Sequence, residues 1–199
     1  MGIKFQYNKT SMQNLNKQLK IRVRALPTIK NKESALRVEV KRAKDRVKEL
    51  EAKLEHEKSE YDNMSALWNE FRSDLISVED VELDIKKIAG VKTPVLKNIR
   101  FSVKDFSFFM HPVWFPDGVE ILKNIVSVSI EMELFRVKMA LLEKARRKTT
   151  QKVNLYEKVQ IPGFEEAILK IKRFMEDEEN LSKSSQKIVK NRQMAEAAI

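Results

Sequence analysis

Cysteine is absent from the 199-residue chain. Disulfide frameworks, zinc fingers, thiol nucleophiles and iron–sulfur sites are excluded with it. Histidine is nearly absent, and His56 and His111 are too few for most transition-metal sites. Glycine and proline number only 4 and 5, less than half of the roughly 12% that ordinary chains carry. With glycines at 2, 90, 118 and 163, neither a phosphate-binding loop nor a dinucleotide fingerprint can be written. No apolar run approaches the ~20 residues needed to cross a bilayer. The opening MGIKFQYNKTSMQN has no apolar signal core, and Gly2 is not followed by the hydroxyl residue that myristoylation requires. The expectation is a soluble, cytoplasmic chain that carries no cofactor and no metal.

What is present is charge and periodicity. Charged residues make up 34% of the chain and the formal net charge is +10, a combination that suits long amphipathic helices and permits nucleic-acid or membrane-surface binding without requiring either. Residues 28–89, 119–161 and 164–199 contain neither glycine nor proline, whereas Gly90, Pro94, Pro112, Pro116 and Gly118 crowd together. The pattern predicts a long helix, a compact non-helical middle and a second long helix.

Stepping by seven from Met12 to Leu75, and again from Leu15 to Val78, traces one face. Only Arg22, Glu33 and Glu57 on that face are not apolar. A seam kept in phase this long marks a coiled-coil strand, with stretches such as KRAKDRVKELEAKLEHEK as its solvated side. Pro27 lies inside the maintained register, which favours a kink over a break. In the second half Ile121, Ile125, Val128, Met132, Phe135, Met139, Leu142, Arg146, Thr149, Val153 and Tyr156 continue the step. The register then slips by one residue at Ile161-Pro162-Gly163 and resumes through Phe164, Ile168, Ile171 and Met175, as expected of a kink with local repacking. Thus residues 1–80 read as an N-terminal coiled-coil helix, 81–120 as a β-hairpin and aromatic middle, and 121–199 as a C-terminal coiled-coil helix whose last 20 residues lose the seam and fray.

The middle holds strand signals at Leu83–Ile88 and, more strongly, at Ile99–Val103. Phe101, Phe106, Phe108, Phe109, Trp114 and Phe115 cluster there. They serve either as a hydrophobic cap over the turn or as an exposed docking surface, because a lone hairpin buries little. With the turn placed near residue 100, facing residues should carry numbers adding to about 200. Tyr61 would then lie near Met139, Trp68 near Met132 and Phe71 near Val128, and Glu57 would face Arg146 as an ion pair fixing register.

No catalytic apparatus is recognisable: carboxylates sit in helical charge runs, and neither histidine has triad surroundings. Three basic clusters, Lys17 to Lys32, Lys144 to Lys152 and Lys183 to Arg192, are either solvated helix faces or nucleic-acid contacts. Their separation from the aromatics argues against nucleic acid. A basic coiled-coil nucleic-acid-associated or scaffold protein is the alternative reading.

Three stretches carry a family resemblance. LNKQLKIR at Leu15–Arg22, with Leu26 and IKNKESALR at Ile29–Arg37, resembles a Leu/Lys-rich opening. IAGVKTPV at Ile88–Val95 resembles a Gly-Val…Pro element, and TQKVNLYE at Thr150–Glu157 with Ile161-Pro162 is similar to an "RRVNALE…IP" signature. Together they resemble the D subunit of the V-type and archaeal A-type rotary ATPases, with Leu155-Tyr156 and Gln151-Lys152 departing from the usual pattern. The resemblance implies a mainly α protein, a long two-helix antiparallel coiled-coil hairpin with a small β-containing segment at the turn. It implies a non-catalytic central-stalk rotor subunit of a proton- or sodium-translocating ATPase or ATP synthase. The implied partners are the catalytic and non-catalytic head subunits (A and B), the small F subunit of the stalk and a funnel-shaped subunit linking to the membrane ring, with no nucleic acid and only indirect membrane contact. Leu15, Leu19, Arg22, Phe108, Phe109 and Trp114 are the partner-contact residues it suggests.

Overall fold

A computed structural model describes residues 3–61, 75–104 and 112–196, together with Trp68, Glu70 and Phe71. Helix α1 spans Lys9–Tyr61, strand β1 Ile76–Ile88 and strand β2 Val91–Val103. Helix α2 spans Phe115–Leu155 and runs through a π-helical turn, Tyr156–Gln160, into helix α3, Ile161–Glu196. The fold is mainly α, a helical hairpin with a two-stranded antiparallel sheet in its middle, as the breaker map and the seam predicted. Two compact units are present: residues 1–31 with 149–199, and residues 32–148.

In the first unit, Asn8 caps α1, its Oδ1 accepting the Ser11 N–H at 2.7 Å. The Ser11 hydroxyl accepts in return from the Gln6 N–H at 3.3 Å. Such a cap is worth about 1 kcal/mol. Helix α1 does not stop at Pro27, which lies in its interior with its side chain in solvent. Leu15, Phe164, Ala167 and Ile171 form the core, flanked by Ile3, Phe5, Met12, Leu19, Ile168 and Met175. The segment Ile3–Tyr7 is an extended arm lying along α3. Ile3 abuts Gly163, where a Cβ would come 3.1 Å from Ile3 Cδ1, and the Tyr7 ring meets that of Phe174 at 4.8 Å.

The register slip has a concrete form. Carried on unbroken beyond Tyr156, the α-helical step would centre the inward face on Gln160, Gly163, Ala167 and Lys170, of which only Ala167 is a core residue. The π-turn absorbs one extra residue, shown by the Ile161 N–H donating to the Tyr156 carbonyl, and brings Phe164, Ile168 and Ile171 to the core instead. The wider turn also suits Pro162, which has no N–H to give.

In the second unit, α1 and α2 pack antiparallel around Leu50, Val128 and Met132, with Leu54 and Phe135 against them. The Arg46–Glu131 and Arg136–Glu51 pairs, at 3.1 and 2.7 Å, flank this cluster. The expectation that facing numbers add to about 200 is overturned. Met132 packs on Leu50, well ahead of Trp68 in the chain, while Phe71 meets Phe115 and Trp114 rather than Val128. Glu57 lies within 3.6 Å of Lys53 on its own helix, and Arg146 binds Glu143 at 2.7 Å. Across the pair of helices Arg146 feels the charge of Glu33, not that of Glu57. The cause is the position of the turn. The two strands are of equal length and reverse at Ala89-Gly90, about ten residues ahead of the assumed midpoint. Pro112, Pro116 and Gly118 belong to the start of α2, not to the turn.

That start is well built. The Phe115 N–H donates to the Pro112 carbonyl at 3.1 Å, Pro116 occupies a first-turn position that needs no N–H, and Asp117 complements the helix dipole. Gly118 leaves room for rings: a Cβ there would fall 2.8 Å from Trp114 Cζ3 and 3.3 Å from Phe71 Cε2. Gly118→Ala should therefore lower the stability of this unit by about 1–3 kcal/mol through overpacking, despite alanine's better helix propensity. A urea titration followed by tryptophan fluorescence reads this directly.

The sheet runs from Ile76↔Val103 to Ile88↔Val91, with irregularities at Val78/Asp80 and Glu82/Leu83. Both turn residues have positive φ, 47° at Ala89 and 81° at Gly90, as in a two-residue hairpin turn of mirror-image type. Alanine bears that conformation at a cost of about 1 kcal/mol, so Ala89→Asn should raise the urea midpoint. Thr93, wholly buried, donates its hydroxyl to the Lys86 carbonyl at 2.9 Å. The hairpin tip lies by Lys32 of α1. Pro94, Val95 and Leu96 border a groove of about 290 Å³ against Glu131, Leu134, Phe135 and Lys138 of α2.

Candidate docking surfaces

Among the described residues no group of three or more histidine, cysteine, aspartate or glutamate side chains is placed to hold a metal. His56 sits exposed on α1, 3.6 Å from Glu60 of the same helix. His111 lies outside the described residues. No described helix is long and apolar enough to cross a membrane. The features that stand out are surfaces.

The first is the far end of α3. The sequence suggested a frayed tail, but the helix continues to Glu196. The segment has no glycine or proline, and Lys183–Glu179 at 2.7 Å braces it one turn apart. That bond holds the Glu179 carboxyl below its ordinary pKa. Every side chain from Glu176 to Met194 is exposed. Leu181, Ile188, Val189 and Met194 are among them, Leu181 at 69% exposure. Lys183, Lys187, Lys190 and Arg192 share this stretch. An unpacked helix of this length is marginal in water, and it displays large apolar groups without cover.

The second is the aromatic cluster at the start of α2. Trp68, Phe71, Trp114 and Phe115 interlock, with ring centroids 5.2–5.7 Å apart. Phe115 is 2% exposed and Trp114 half-buried. Of the two sequence readings for the middle aromatics, Trp114 and Phe115 take the cap, joined by Trp68 and Phe71. Phe106, Phe108 and Phe109 lie outside the described residues.

The third is the hairpin face that carries Val78, Leu83 and Ile85, all exposed, Ile85 at 65%. No sequence argument singled these out. Alternation at Leu83 and Ile85 was visible, but the identity of the face left uncovered depends on how the hairpin lies against the helices.

Of the suggested contact residues, Leu15 is in the core of the first unit and Leu19 packs against it. Arg22 lies in the same unit. Its Nε donates to Gln160 Oε1 at 2.6 Å, its Nη1 to the Gln18 carbonyl at 3.1 Å, and its guanidinium sits over the Phe164 ring at 4.6 Å. Trp114 belongs to the other unit.

Residues 11–191 match the family model that describes the D subunit of ATP synthase. The chain belongs to the ATP synthase D-subunit family. Among curated relatives, the V-type ATP synthase D subunit of Borreliella burgdorferi is 29% identical over 191 residues, covering 94% of both chains. The same protein of Chlamydia muridarum is 29% identical over 185 residues, covering 89% of this chain and 90% of the relative. That of Chlamydia felis is 32% identical over 160 residues, covering 76% of each. Membership of this family gives the chain a place within an ATP synthase complex, and exposed apolar helix faces are what a protein with built-in neighbours displays.

One charge cluster carries a pH signature. Arg146 and Arg147 bond to Glu143 at 2.7 and 3.2 Å. The Arg146 hydrogen bond is the main cause that lowers the Glu143 carboxyl from 4.5 to about 2. A depressed carboxylate stabilises the fold fully above its unfolded value and loses that contribution as pH falls through the folded value. Stability should therefore decline between pH 4.5 and about 2. Glu143→Gln should flatten that part of the profile, by no more than the ~1 kcal/mol of an accessible pair.

Proposed function

We propose that the chain is the non-catalytic central-stalk subunit of a V/A-type proton- or sodium-translocating ATPase or ATP synthase. It transmits torque between the ATP-hydrolysing head and the membrane ring, and the complex lies on the cytoplasmic face. The observation that carries this reading is the helical overhang Glu176–Met194. It is fully exposed and studded with apolar residues, with Lys183, Lys187, Lys190 and Arg192 following the acidic run Glu176–Glu179, in a member of a family whose relatives are named as the D subunit of V-type ATP synthases. A segment of this kind fits the bore of a head built from A and B subunits. Seam packing and cross-helix ion pairs support the stiffness a shaft needs.

In this reading the small F subunit clasps the helices, and the segment around 81–120 faces the funnel-shaped subunit, with Phe108 and Phe109 shaping that contact while Trp114 belongs to the aromatic cap. Leu15, Leu19 and Arg22 serve the head end by fixing the shape of the first unit. The test is native purification with partner identification, followed by comparison of ATP hydrolysis with ion pumping in reconstituted complexes. Complexes lacking this chain should hydrolyse ATP without pumping. ATP hydrolysis by the purified chain alone would overturn the reading.

A further inference from the structure

The π-turn and the side chains that grip it carry an inference independent of the rotor reading. Three of its residues are engaged by cations of α1. Arg22 bonds Gln160 at 2.6 Å and lies 6.0 Å from the centre of the Tyr156 ring. Lys30 bonds Glu157 at 2.7 Å. Just beyond the turn, the Arg22 guanidinium also covers Phe164, the first core residue of α3. Arg22 is thus one of the three charged breaks in the α1 seam, with Glu33 and Glu57, and it stands opposite the place where the partner helix holds a surplus residue.

A surplus residue has no fixed address in a helix. A wide turn passes one step along the chain by exchanging one set of backbone hydrogen bonds for another. Each intermediate position keeps the seam intact on both sides but changes which residues between Thr149 and Ile161 face inward. Apolar packing discriminates weakly here, because Val153, Leu155, Tyr156, Val159 and Ile161 are all acceptable to a seam. A planar guanidinium stacked on Phe164 while bonded to Gln160 is specific to one placement. We propose that Arg22 is a positioning residue that fixes the π-turn at Tyr156–Gln160, with Lys30 on Glu157 as the second hold.

The test is residue-resolved amide hydrogen exchange on the full chain. The unsubstituted protein should show one protection minimum confined to 156–161. In Arg22→Ala the minimum should spread or move into 149–155, with exchange there at least tenfold faster, while amides of 167–172 keep their protection. Arg22→Lys should not restore the original profile, because an ammonium lacks the planar fork. Gln160→Ala should reproduce the spread without touching the seam, which covers the case of a poorly folded Arg22 variant. A control lacking Val159 and carrying Pro162→Ala has no surplus residue, and Arg22→Ala should leave its profile unchanged. A minimum that stays at 156–161 in Arg22→Ala overturns the proposal. So does exchange rising uniformly over 149–175, the mark of general stabilisation, or the absence of any minimum at 156–161 in the unsubstituted chain.

Discussion

Phe115→Ala should cost the second unit about 3–5 kcal/mol, the range for deleting a buried aromatic ring. Phe115 is 2% exposed, and its ring touches those of Phe71 and Trp114 with centroids 5.2 Å away in both cases. It also opens α2, its N–H bonded to the Pro112 carbonyl. The cavity would lie against the Phe71 and Trp114 rings, which are too stiff to collapse into it. Phe115→Leu keeps most of the volume and should lose less than half as much. Urea midpoints, with near-ultraviolet dichroism for the tryptophan environment, check both variants. A loss below about 1 kcal/mol for Phe115→Ala would mean that this ring cluster is not what closes the helix pair.

Removal of residues 181–199 should uncouple the complex while sparing its chemistry. The deletion takes away Leu181, Ile188, Val189 and Met194, all exposed. It touches none of the core residues, since Met175 is the last side chain packed against the first unit's core. Thermal stability of the isolated chain should therefore barely change. In reconstituted complexes ion pumping should fall by an order of magnitude or more, while ATP hydrolysis stays within a small factor of its starting rate. A chain whose pumping survives the deletion would show that the overhang is not a bearing, and the head contact would then have to be sought elsewhere on the helices. The double substitution Leu181→Asp with Ile188→Asp tests the same point without shortening the helix.

Much of this fold was readable because its determinants are local. Seven-residue spacing and the crowding of breakers around Gly90 depend only on near neighbours in sequence, and they anticipated two helical arms around a β-containing middle. The spacing overran the first arm, however: Leu75 stands just before strand β1 and Val78 lies within it, where a helix to residue 80 was expected. The one-residue slip at Ile161 was also legible, though not its form. A kink and a π-turn satisfy the same apolar pattern, and only the Ile161 to Tyr156 hydrogen bond separates them. The pairing of the helices was misplaced because it depends on a non-local quantity, the midpoint of the turn. Pro112, Pro116 and Gly118 were counted as turn residues, whereas proline is well tolerated in a first helical turn and Gly118 answers to the Trp114 ring. The continuation of α3 was missed for the opposite reason. Loss of a seam removes the burial that stabilises a helix, but it does not make the residues poor helix formers. Arg22 stood out in the sequence only as an exception to the seam. What it holds could not be read there, because Gln160 and Phe164 come into its reach only through the wide turn.

The π-turn also records how a length change can be tolerated. A residue added to a regular helix rotates everything beyond it by about 100°, which here would swing Ile171 out of the core and Lys170 into it. Storing the addition in one wide turn spares all downstream contacts, so a single insertion becomes nearly silent. In this chain the region 149–161 is therefore where one residue can be gained or lost without displacing the seam beyond it. An ancestral sequence one residue shorter should fold with an unbroken helix here, provided that it lacks the proline at the position of Pro162. Insertions anywhere else along α3 up to Met175 would meet no such shelter, and lineages should show correspondingly fewer of them.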